Sequence, residues 1–316
     1  MSLIEQAARR LEQLRQAGVE LPEEPPLAKP AAKKGKASPP PRDDFDPYAI
    51  AIAPPQADEE KKAAAPAAKR VELDLEAISA SGLLVPQASR SQLADEFRVI
   101  KRPLIANAMG KGHEPVVNGN LIMITSALPG EGKSFTAINL AISIAMELDN
   151  TVMLVDADVA RPSVLNMLGL PPAPGLLDVV DKNSVDISGV LLRTNIEKLS
   201  ILPSGTPHAR ATELLASDAM IRLLDDMASR YNDRIIIFDS PPLLLTTEAR
   251  ALATNMGQIV LVVYAESTTQ AAVKQAVDTI AACPVKMMLL NQARQASSES
   301  YGYGYGYGYG YGHEKK

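Results

Sequence analysis

"LIMITSALPGEGKSFTAINLA", residues 121–141, decides the fold. Leu121–Thr125 is an apolar, β-rich run, a glycine-containing turn follows, and from Lys133 the pattern becomes helical. Strand, loop and helix in that order form the context in which a phosphate-binding loop works. Gly130 and Gly132 let backbone N–H groups close around phosphate oxygens, and the positive end of the helix dipole points at the same place. Lys133 is placed to reach the β- and γ-phosphates of a nucleotide such as ATP, and the Ser134 hydroxyl to ligate Mg²⁺. The expected cradle is Ala127, Leu128, Pro129, Gly130, Glu131, Gly132, Lys133, Ser134 and Phe135. One position departs from G-x-x-x-x-G-K-[ST]: Ala127 stands where the first glycine is usual.

Moving outward, the same alternation repeats. Apolar runs at Val152–Val155, Leu199–Leu202, Ile235–Phe238, Ile259–Tyr264 and Met287–Leu290 read as further strands. Few polar residues break them, as expected of strands covered on both faces. Amphipathic stretches such as "ATELLASDAMIRLLDDMASRY" and "TQAAVKQAVDTIAA" lie between. The alternation predicts an α/β fold: a P-loop NTPase-like, mainly parallel sheet with helices on both faces. Two strands end in acid: "VMLVDADVARP" at Asp156 and Asp158, and "RIIIFDSPP" at Asp239. The carboxyl ends of parallel strands share one rim, where ligands bind. Asp158 and Asp239 are therefore expected with Ser134 around Mg²⁺, and Asp156 as the group that takes or orients a proton. Asn291, just past the last strand, is placed to contact adenine or simply to end the strand.

The remaining segments divide the chain. Residues 1–20 contain an amphipathic helix pattern, with Ser2 and Glu5 as a capping box and Leu3, Ile4, Ala7, Leu11 and Leu14 on one face. Residues 21–88 read as a linker; eleven of the chain's 24 prolines lie between 21 and 70. Such a composition cannot bury enough apolar surface to offset its ordering entropy. The folded domain is expected over 89–292, opening with a helix in "SRSQLADEFRVIKRPL" that starts at Ser89 or Ser91 and ends at Pro103. Residues 293–316 form a tail in which Tyr301, Tyr303, Tyr305, Tyr307, Tyr309 and Tyr311 alternate with glycine. The net charge of −5 over 316 residues argues against a general nucleic-acid binder. The single cysteine, Cys283, reads as a small buried hydrophobe. No apolar run approaches the ~20 residues that cross a bilayer, which predicts a cytoplasmic protein.

These residues resemble the bacterial tyrosine kinases of polysaccharide-export systems. The carriers are the loop "ALPGEGKS", the acidic box "MLVDAD", the box from Asp239 to Pro242, and the tyrosine cluster Tyr301–Tyr311. The resemblance spans about residues 90 to 312, and "RATELLAS" and "EFRVIKRPL" are similar to the exopolysaccharide and exosortase-associated branch. It implies an ATP- and Mg²⁺-dependent tyrosine autokinase that regulates exopolysaccharide polymerisation or export. Lys133, Asp156 and Asp158 would be catalytic, and the tail tyrosines the acceptors. It also implies a homo-oligomer, a separate transmembrane chain-length-determinant-type activator that recruits the chain to the inner face of the membrane, and a phosphotyrosine phosphatase. Two of the family's motifs are altered here, and one residue separates the chain from its relatives. The acidic box usually continues D-x-D-x-R, whereas Ala160 precedes Arg161 here. The oligomerisation motif E-x-x-R-x-x-R is matched by Asp95, Arg98 and Lys101, and a lysine lacks the bidentate fork of arginine. Leu128 replaces the extra lysine that partition-type ATPases carry early in the loop.

The tail then has a use. Nine residues separate Asn291 from Tyr301, an extended reach of roughly 35 Å. A phenol could reach its own nucleotide rim or that of a neighbouring copy. Two other readings remain open from sequence: a nucleotide-switched positioning ATPase that hydrolyses ATP without labelling itself, and a scaffold whose tail alone is functional.

Overall fold

The computed structural model describes residues 68–88, 90–112, 114–181, 186–230 and 234–293. The expected N-terminal helix, most of the proline-rich segment and the tyrosine tail lie outside the described residues. In chain order the elements are β1 (Lys69–Arg70), α1 (Leu75–Ala80), α2 (Gln92–Ala108), β2 (Leu121–Ser126), α3 (Lys133–Ala145), β3 (Thr151–Asp156), α4 (Val164–Met167), α5 (Leu176–Asp181) and α6 (Ile187–Val190). Then follow β4 (Leu192–Arg193), β5 (Leu199–Leu202), α7 (Ala211–Leu215), α8 (Asp218–Arg230), β6 (Arg234–Asp239), α9 (Thr247–Ala253), β7 (Gln258–Tyr264), α10 (Gln270–Thr279) and β8 (Val285–Asn291).

Eight strands make one sheet in the order β1-β4-β5-β3-β6-β2-β7-β8. Every pairing is parallel except β4 with β5. Side chains alternate across a strand, so each central strand feeds two cores. Leu121, Met123, Met153, Val155, Ile236 and Phe238 face one core, which α8, α9 and α10 help to close. Ile122, Ile124, Val152, Leu154, Ile235 and Ile237 face the other, against α2 and α3. All twelve of these side chains are fully buried, and each such burial stabilises by about 1.5–3 kcal/mol. The expected layering of helices on both faces is what the chain adopts.

Two boundaries differ from the sequence reading. The packed region begins well before residue 89: Leu73, Ile78, Leu83, Leu84 and Val85 are buried in the α2–α3 core. Asp74 caps α1 by accepting from the backbone N–H groups of Glu76 and Ala77, and Leu84 N–H donates to the Asn139 side chain at 2.6 Å. The alanine- and proline-rich composition upstream masked this short apolar stretch. The second difference is α2, which starts at the Ser91 cap but runs through Pro103 to Ala108. Proline removes one N–H, yet Leu104 beyond it is fully buried, and that packing holds the last turn in place.

Lys101, on α2, is also unlike its expected role. It is buried, and its ammonium donates to the Ser143 carbonyl at 2.5 Å and pairs with Glu147 at 2.7 Å. Lys198 donates to the carbonyls of Glu147 and Leu148, at 2.9 and 2.7 Å. Two cations thus satisfy carbonyls at and just past the end of α3, where the helix dipole is negative. Lys101 is an internal strut, so within the described chain its ammonium does not face outward for assembly. Asp95 and Arg98 pair with each other on the exposed side of α2.

Candidate active site

The loop from Ala127 to Ser134 joins β2 to α3 at the rim where β2, β3, β6 and β7 end. Gly130 and Gly132 both take positive φ, 82° and 94°. Gly132 is the N-cap of α3 and no side chain caps that helix. A Cβ at Gly132 would lie 2.0 Å from Asn291 Nδ2, so glycine is demanded by space as well as by backbone.

The loop is braced from beneath. Glu131 is 2% exposed. One of its carboxylate oxygens accepts from Leu128 N–H at 2.7 Å, and the other accepts from the Thr268 hydroxyl. Its carbonyl accepts from Asn291 Nδ2 at 2.9 Å. Asn291 therefore serves the loop itself: its amide is committed to the backbone of Glu131 and supports the cradle rather than lying open beside it. Thr268, just past β7, was not legible as part of this arrangement.

A cleft of about 650 Å³ opens above the loop. Pro129, Gly130, Lys133, Ser134, Phe135, Asp158 and Arg161 line it, with Pro241 and Leu245 opposite. Lys133 Nζ pairs with Asp158 Oδ2 at 2.8 Å, and Asp158 Oδ1 accepts from Arg161 N–H at 3.1 Å. Ser163 Oγ donates to Ser134 Oγ at 2.8 Å. Ser163 also was not singled out in the sequence; a hydroxyl five positions after Asp158 was the available signal.

The three acids occupy different situations. Asp158 borders the cleft. Asp156 is sealed beneath it: Oδ2 accepts from the N–H groups of Ser163 and Val164 at 3.1 and 3.0 Å, while Oδ1 is buried without a partner. Asp239 is fully buried, and neither of its oxygens makes a well-formed hydrogen bond, the Ser134 hydroxyl and the Lys133 ammonium being the polar groups that act on it. Asp156 and Asp239 stand directly opposite in the β3–β6 register, an unfavourable placement for two like charges. Burial is the main reason that the Asp239 carboxyl is pushed up to about 7, with the Lys133 charge opposing. Burial likewise pushes Asp156 up to about 6, against the N–H of Val164.

An under-satisfied carboxylate at the foot of an uncapped helix, beside a lysine and a serine hydroxyl, is a donor set that suits a divalent cation accompanying a phosphate chain. Comparison with known proteins gives the family. A family profile described as an AAA domain matches residues 119–291, more than half of the chain. The tyrosine-protein kinase YwqD of Bacillus subtilis is 34% identical over 182 residues, covering 57% of this chain and 75% of YwqD. This chain belongs to the bacterial tyrosine-protein kinases. The succinoglycan biosynthesis transport protein ExoP of Rhizobium meliloti is 33% identical over 183 residues, 57% of this chain but 22% of ExoP. Among solved structures, the kinase domain of the Escherichia coli tyrosine kinase ETK superposes with a TM-score of 0.56 at 26% identity, covering 67% of this chain and 80% of that one. The chimerical protein CapA2B2 gives 0.54 at 28% identity, covering 71% and 93%. Among the described residues no helix of this kinase is long and apolar enough to cross a membrane.

Proposed function

We propose that this kinase transfers the γ-phosphoryl group of ATP to the tyrosines of its own C-terminal tail, Tyr301 to Tyr311, and thereby regulates exopolysaccharide polymerisation or export. The observation that carries the proposal is the convergence of Lys133, Ser134, Asp158 and the under-satisfied Asp239 on one rim. The chain leaves β8 at that same rim, ten residues before Tyr301.

In this reading the backbone of residues 127–135 and the α3 N-terminus hold the phosphates. Ser134 and Asp239 would hold Mg²⁺ directly and Asp158 through water, and the ion would supply charge neutralisation for the phosphoryl oxygens. Lys133 exchanges its Asp158 partner for a phosphate oxygen. A phenol with an ordinary pKa of about 10 is a weak nucleophile at neutral pH. Asp158 is the acid that borders the cleft, so the proton-accepting or orienting role falls to it, and Asp156 holds residues 163–164 in place from below. The phenol oxygen bonds to the γ-phosphorus, the bond to the bridging oxygen breaks, ADP leaves, and the phenolic proton passes to the carboxylate. A separate membrane-spanning activator of the chain-length-determinant type, a homo-oligomeric working state and a phosphotyrosine phosphatase complete the proposal, on the strength of the family resemblance.

Incubation with Mg²⁺ and γ-labelled ATP tests it. Label is expected in tail tyrosines, reduced at least a hundredfold by Lys133→Met and abolished by Tyr→Phe at all six tail positions. Free phosphate without label would indicate a positioning ATPase instead, and neither product, with the membrane partner present, would indicate a scaffold.

A further inference from the structure

The outer edge of β8 has no strand beside it among the described residues, since β8 closes the sheet order and pairs only with β7. It is seven residues long. Met288 and Leu290 on it are 69% and 63% exposed, although both are large and apolar. Beside them Val273 and Val277 of α10 extend the apolar surface into a groove of about 450 Å³. An edge strand presenting unpaired N–H and C=O groups is a template for another strand; here Lys286 guards one end of the exposed face, and Met288 and Leu290 leave the rest of it apolar.

The chain carries a segment that suits this edge. Residues 301–312 alternate tyrosine and glycine without interruption. The side-chain period of a strand is two, so in extended form all six rings share one face. The segment follows β8 after the short stretch 292–300, and Gln292, at φ 56°, already turns the backbone at the strand's end. We propose that in the unmodified chain residues 301–307 add to the free edge of β8 as an antiparallel ninth strand, with tyrosine rings over Met288 and Leu290.

The lengths match, seven residues on seven. The connection would be residues 292–300, and the entropy of closing such a loop grows only logarithmically with its length. Main-chain hydrogen bonds supply affinity, as in other strand additions, and methionine–aromatic contacts favour the ring face. A slip of two residues presents the same face again, so several registers are equivalent and any tyrosine can be the one released. An antiparallel strand runs away from the nucleotide rim, so docked rings are stored out of reach of Lys133. A phosphate adds about 1.5–2 negative charges to a ring and removes its reason to lie on Met288.

Hydrogen exchange followed by mass spectrometry on the full chain, with no ATP present, tests this separately from phosphoryl transfer. Peptides covering 285–291 should exchange at least tenfold more slowly in the parent than in a full-length chain with Tyr→Ser at 301, 303, 305, 307, 309 and 311. A Met288→Lys, Leu290→Lys chain should exchange as fast as the serine chain, with its melting temperature confirming that it is folded. Equal rates in parent and serine chains overturn the proposal. So does protection that grows with protein concentration together with a dimeric mass, which would assign the edge to a second copy.

Discussion

At the residue scale, the site holds more acid than its unliganded form can comfortably ionise. Asp156 and Asp239 have folded-state pKa values raised from 3.8 to about 6 and about 7, both chiefly by burial. A carboxyl whose pKa is raised on folding contributes stability that is complete below its unfolded value and lost as pH rises through the folded value. Between about pH 4 and pH 7 the unliganded kinase should therefore lose stability, on the order of a few kcal/mol. Thermal melting without Mg²⁺ or nucleotide is expected to be higher at pH 5 than at pH 8. Asp239→Asn should raise the melting temperature at pH 8 and flatten the pH dependence, while labelling activity falls sharply. The presence of these acids was legible, because an Asp closing an apolar run marks a strand end. Their inequality was not: that Asp156 lies sealed and Asp158 borders the cleft depends on the turn from Val159 to Ser163, which no periodicity encodes.

At the element scale, the phosphate loop and its helix are held at both ends by side chains from elsewhere in the chain. Gly132→Ala would push a methyl into Asn291 and force a left-handed φ on alanine. ATP affinity measured by calorimetry should drop at least tenfold, and the melting temperature of the unliganded chain should fall by a few degrees, since left-handed backbone costs alanine about 1–2 kcal/mol. At the far end, Lys101→Ala removes the donor to Ser143 and the partner of Glu147. It should cost roughly 1–3 kcal/mol in urea unfolding, and Lys101→Met less, because the stem volume is kept. The central strands were readable from apolar runs, since burial on both faces leaves a continuous signal. The two-residue strands β1 and β4 were not, because so short a segment has no period. Pro103 misled for a related reason: a local breaker was overridden by the burial of Leu104 three-dimensionally, outside any sequence window.

At the scale of the whole molecule, charge is the governing quantity. The chain carries a net −5, and six tail phosphates would add about nine to twelve negative charges. Alternate residues of an extended chain lie about 7 Å apart, within the ~8 Å Debye length. Full modification should therefore disperse self-associated kinase; light scattering before and after ATP should show the mass fall, and an unchanged mass would count against it. The bond from Asn291 to the carbonyl of Glu131 also has a mechanical side. The last strand ends under the nucleotide cradle, and its terminal side chain holds that cradle's backbone. A perturbation that displaces Asn291 is therefore expected to alter the floor of the pocket and with it the grip on nucleotide. ATP affinity with and without a tail-directed antibody should differ in the parent and be indifferent in Asn291→Ala.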